Sequence, residues 1–107
     1  MSGFDDRKKG RENKFAHDQE QEFRIMARRN KLLGLWASEL LGKTGEDADA
    51  YAREVVIADM EEKGDEDVFR KIRSDLDAQN VELSDHRIRR KMEELLGVAR
   101  EQVKSGN

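Results

Sequence analysis

The chain has 107 residues, of which 42% are charged and 36% hydrophobic, enough for one small domain with a modest core. Eight glycines with no proline and no cysteine remove disulfides, thiolate nucleophiles and thiolate metal sites, and fit charged amphipathic helices rather than a sandwich or barrel. The formal net charge of −3 is unevenly placed: residues 1–31 hold nine Lys/Arg against six Asp/Glu, and residues 32–107 hold twelve against eighteen, unlike a nucleic-acid binder with its basic residues on one face.

From Met1 to about Glu22 the residues are mostly charged or amide, with isolated Phe4 and Phe15, and Phe23 just beyond. That stretch has too little apolar surface to bury a face of its own. It predicts a flexible N-terminal arm, residues 1–20, ahead of a helical body, residues 21–107. The first helix of the body is marked by Ile25, Met26, Leu33, Trp36, Ala37, Leu40 and Leu41 at three- and four-residue steps, with Gly42 as its left-handed stop. Its start is not marked, and Trp36 is expected as a core anchor.

Thr44 then reads as an N-cap with Asp47 three residues on, opening a second helix with the stripe Ala48, Tyr51, Ala52, Val55 and Val56, which Gly64 ends. Asp65 is the expected cap of a third helix carrying Val68, Phe69, Ile72 and Leu76, with Glu66 and Asp67 on its positive end. Gln79 to Leu83 breaks the pattern. Ser84 caps a fourth helix, with Leu83 and Ile88 in staple positions and Met92, Leu95, Leu96, Ala99 and Val103 continuing the stripe. Four amphipathic helices with short connections predict an all-α four-helix bundle behind a flexible arm. The basic runs Arg28-Arg29 and Arg87 to Lys91 are expected as solvated helix faces.

Catalytic constellations are scarce. His17 and His86 stand apart from any nucleophile or metal-pair spacing, so neither a catalytic nor a metal site is expected. Asp59 lies at helical spacing from Val55 and Val56, at the edge of an apolar stripe, where a half-buried carboxylate needs a partner. Ala37 to Thr44, ASELLGKT, satisfies a permissive form of the phosphate-binding loop pattern. Gly42, Lys43, Thr44 and Gly45, with Asp59, are therefore the candidate site for weak ATP or ADP binding. The context opposes it, because a phosphate loop opens a helix and this one closes one.

Phe4-Asp5-Asp6-Arg7, Lys14-Phe15-Ala16-His17-Asp18, Arg28 to Ala37, Glu39 to Gly45 and Tyr51 to Val56 together resemble the zeta subunit family of alpha-proteobacteria, whose members inhibit ATP hydrolysis by the rotary ATP synthase. The likeness spans nearly the whole chain and is most specific through Val56. It implies a non-enzymatic regulatory subunit whose arm folds into a catalytic subunit interface of the synthase head while a four-helix body anchors outside. On that likeness Phe4, Asp5, Asp6, Arg7, Phe15 and His17 are the expected inhibitory contacts. Gly10 sets the continuity of an arm helix in question. The partner implied is the head of the synthase, with no cofactor, no nucleic acid and no membrane insertion. The free chain is expected to be a cytoplasmic monomer that becomes peripheral to the inner membrane when bound. A nucleotide-binding regulatory module and a helical adaptor for another partner are the alternative functions.

Overall fold

The structure is a computed structural model that describes residues 3–60 and 65–106, with side chains from Asp18 onward among them. It is all-α, with α1 (Gly3–Leu40), α2 (Gly45–Ala58), α3 (Glu66–Ala78) and α4 (Asp85–Lys104) in chain order. α1 is the central element, packing along α2 and α4, and α3 closes the bundle against the other three. No helix among the described residues is long and apolar enough to cross a membrane.

Helical backbone extends back to Gly3 and passes through Gly10 without a break. An interior glycine costs about 1 kcal/mol relative to alanine, and its neighbours Lys8, Lys9, Arg11 and Glu12 keep good local propensity. At 1.5 Å per residue α1 is about 57 Å long, which accounts for most of the 66 Å longest dimension of a molecule only 25 × 21 Å across. Between Asp18 and Arg24 the side chains are exposed, apart from half-buried Gln21. Among the described side chains burial begins at Ile25, where the apolar spacing begins.

The core unites Leu33 and Ala37 of α1, Tyr51 and Val55 of α2, Val68, Phe69, Ile72 and Leu76 of α3, and Ile88 and Met92 of α4. Each lies on the stripe that its spacing marks. Trp36 is placed differently from its expected role: it is half-buried at the margin of this cluster, with the Lys91 ammonium 5.9 Å from its ring centroid. A cation over the ring face compensates for the water that the margin still admits.

α1 and α2 meet closest at Gly34. A Cβ at that position would stand 2.6 Å from the Ala52 Cα and 3.2 Å from the Val55 Cγ2, so only glycine lets the two backbones approach this far. Gly34→Ala is expected to destabilise the protein by about 2 kcal/mol, the overpacking cost outweighing the gain in helix propensity. Urea denaturation checks it, and an unchanged or raised midpoint would show that the helices part without penalty.

Helix ends follow from local chemistry. After α1, the Gly42 N–H donates to the Glu39 carbonyl at 3.2 Å and the Lys43 N–H to Ser38 at 2.8 Å, with Gly42 at φ 76°; this is a Schellman motif. α3 closes in the same way on Asn80, at φ 59°, with the Val81 N–H donating to the Leu76 carbonyl at 2.9 Å. Ser84 caps α4 as expected, its hydroxyl accepting from the Arg87 N–H. Thr44 and Asp65 occupy the N-cap positions of α2 and α3 without side-chain cap bonds. The stop expected at Gly64 lies outside the described residues.

Arg29 departs most from the sequence expectation. It is 1% exposed, not part of a solvated face. Its Nε donates to Asn30 Oδ1 and its Nη2 to Asp65 Oδ1, both at 2.8 Å. A buried guanidinium requires such partners, and the pairing explains why the Asp65 carboxylate is turned from the first N–H groups of α3. Arg28 is half-buried and donates to Gln102 of α4 at 2.9 Å. In the second basic run, Arg87, Arg89 and Arg90 are exposed, as charges on a solvated face should be.

Candidate functional site

Phe4, Asp5, Asp6, Arg7, Phe15 and His17 all lie on the first half of α1, and their side chains fall outside the described ones. Helical periodicity puts Phe4 and Phe15, eleven residues apart, at nearly the same position around the helix axis, because eleven residues make just over three turns. Their helix continues into the core without a hinge: Leu33 and Ala37, on the same element, are fully buried.

The Gly42–Gly45 turn has the geometry of a helix C-terminus followed at once by a new helix. The N–H groups of Gly42 and Lys43 are engaged by carbonyls of α1, so they do not point at a ligand. The new N-terminus, which could attract an anion, carries Glu46 and Asp47 in its first turn, and these already satisfy the positive dipole end and repel phosphate. Lys43 extends over the Tyr51 ring, with its ammonium 6.0 Å from the centroid. Asp59 sits at the other end of the same helix as the C-cap of α2, about 20 Å away by helical rise. It is half-buried, and its N–H donates to the Val55 carbonyl at 3.4 Å. The turn and Asp59 are thus not brought to one pocket.

Next to the turn lies a polar cluster that the sequence did not single out. Tyr51 is 4% exposed and its hydroxyl donates to Asp75 Oδ2 at 2.7 Å. Lys71 donates to the same oxygen at 3.0 Å, lies 3.5 Å from Glu54, and places its ammonium 5.1 Å from the Tyr51 centroid. The group ties α2 to α3. Burial pushes the Tyr51 phenol well above its ordinary 10.0, helped by the bond to Asp75 and by the negative charge of Asp75 and Glu54.

Because the folded state holds that proton more tightly, the stability it contributes is present below the unfolded value and declines as pH rises past about 10, by up to about 1.4 kcal/mol per unit. Tyr51→Phe is expected to cost about 1 kcal/mol near neutrality, and the gap to the native protein should narrow between pH 9 and 11. Stability curves of both proteins over that range check the sign, and a widening gap would contradict it.

Among the described residues no group of three or more His, Cys, Asp or Glu could hold a metal ion. His86 is exposed at the start of α4.

A family model described as ATPase inhibitor subunit zeta matches residues 1–102. The chain is also similar to a solved chain described as a solution NMR structure, with 49% sequence identity, a TM-score of 0.72, and coverage of 80% of this chain and 98% of that one. No curated protein matches it.

Proposed function

The chain belongs to the ATPase inhibitor subunit zeta family, and from that premise we propose that it blocks ATP hydrolysis by the rotary ATP synthase by inserting its N-terminal arm into a catalytic subunit interface of the synthase head. The arm, residues 1–20, acts as the wedge, and the bundle, residues 21–107, stays outside as its anchor. The observation that carries the reading is the reach of the family match, which takes in the arm as well as the body.

The physical chemistry of the arm supports a role in contact with a partner rather than in a core of its own. Its cations, Arg7, Lys8, Lys9, Arg11 and Lys14, suit an acidic surface, and Phe4 and Phe15 supply apolar anchors that repay part of the ordering cost of binding. Asp5, Asp6 and His17 complete the contact set. Continuity of α1 from Gly3 to Leu40 supports an arm that acts as a helix.

The free protein is a monomer in the cytoplasm and becomes peripheral to the inner membrane on binding. ATP hydrolysis by the cognate synthase head, with and without the protein, tests the role. A saturable fall in rate is expected, and an unchanged rate at high protein concentration would refute it.

A further inference from the structure

Just past the arm, α1, α2 and the end of α4 border an open groove of about 890 Å³. Phe23 of α1 and Ile57 of α2 line it with 64% and 59% of their surface exposed, and Ala52 and Val56 contribute to its apolar wall. Large apolar side chains left open on a polar rim mark interaction surfaces. The rim has one dominant sign of charge: Arg24, Arg28, Lys31 and Arg53 against a single carboxylate, Asp49, on a chain whose net charge is −3. Arg24 is balanced locally by Glu20 at 2.8 Å, while Lys31 and Arg53 are exposed.

We propose that this groove is a second docking surface, through which the bundle grips an acidic, amphipathic segment of the synthase head. The inference rests on the inhibitory reading and names the chemistry of the partner that the anchor meets. Lys31 and Arg53 select a segment rich in Asp and Glu, and exposed Phe23 and Ile57 select an apolar anchor within it. The chain's own first 17 residues are a poor occupant, since they hold five Lys/Arg against three Asp/Glu. A second copy would bring the same cations face to face. Phe23 and Arg24 follow the arm on the same helix, so the groove begins where the arm ends.

The test uses full-length protein with the arm intact. Lys31→Glu/Arg53→Glu and Phe23→Ala/Ile57→Ala alter exposed positions, and circular dichroism confirms that each stays folded. Both variants are titrated into the synthase head while hydrolysis is followed at low and high salt. The concentration for half-inhibition is expected to rise about tenfold or more in each, with complete inhibition still reached at saturation, and the charge variant should lose most of the salt dependence.

Native potency in both variants would overturn the groove and leave the arm reading standing. A native protein that does not inhibit at all would remove both. Dimerisation of the native protein, abolished by the charge reversals, would assign the groove to self-association and equally overturn the proposal.

Discussion

Removal of residues 1–18 is expected to abolish inhibition of ATP hydrolysis while leaving the rest of the chain folded. The core supplies the reason for the second half of that expectation. Its earliest buried member among the described side chains is Ile25, and those from Asp18 to Arg24 are exposed or half-buried, so the truncated chain keeps every buried apolar contact among the described residues. The reason for the first half is mechanical. On the proposed reading, the bundle without the arm has nothing to place between the catalytic subunits, and docking outside does not stop rotation. The truncated protein should therefore bind the head weakly through the bundle and leave the hydrolysis rate unchanged. Its far-ultraviolet dichroism should lose signal in proportion to the helix removed, with a cooperative melt retained. Inhibition at native potency would exclude the arm as the wedge.

The other large effect concerns the buried Arg29. Asp65→Ala leaves a guanidinium that is 1% exposed with Asn30 as its other hydrogen-bond partner among the described residues, and uncompensated buried charge is expensive. The Asp65 side chain is 49% exposed, so water replaces part of the lost interaction, and a cost of about 3 kcal/mol is expected. Arg29→Met removes the charge along with the need for a partner and keeps most of the packing volume. It leaves a carboxylate that water can solvate and a buried Asn30 amide oxygen without its donor, and should cost about 2 kcal/mol, less than Asp65→Ala. The ordering of the two variants in denaturant midpoint is the decisive feature. Equal, small effects would mean that the pair is solvated in solution and that Arg29 is not sealed in the bundle.

The same residue shows where sequence reading stops. Leu33, Val55, Ile72 and Ile88 are fully buried and could be placed from spacing alone, because a helical stripe is a property of its own segment. Gly42 as a left-handed stop and Ser84 as a cap are equally local, each decided within a turn of chain. Arg29 is different: its neighbours in sequence are charged and polar, and its burial depends on Asp65, thirty-six positions away. Gly34 is legible as a glycine but not as a contact, since its necessity arises only when Ala52 of a second helix is brought against it. Thr44 and Asp65 show a related limit. Residue type marked the N-cap positions correctly, yet the carboxylate of Asp65 found a stronger partner than the backbone N–H groups it was expected to cap.

Function divides along the same line. The family was legible from motifs in the arm and the body, and the match over residues 1–102 shows it. The groove formed by Phe23, Arg53 and Ile57 was not, because its members come from separate helices and share no motif. Asp59 and the Gly42–Gly45 turn looked like partners in sequence, whereas the length of α2 holds them at its opposite ends.

Site-specific crosslinking tests the central claim most directly. The chain has no cysteine, so Lys9→Cys provides a unique point in the arm for a photoreactive label, and the labelled protein is irradiated in complex with the inhibited synthase head. The label is expected to attach to the subunits that form a catalytic interface, and to do so in proportion to the loss of ATP hydrolysis. Full inhibition with the label attached only to this protein's own bundle, or to head surfaces remote from every catalytic interface, would contradict the account.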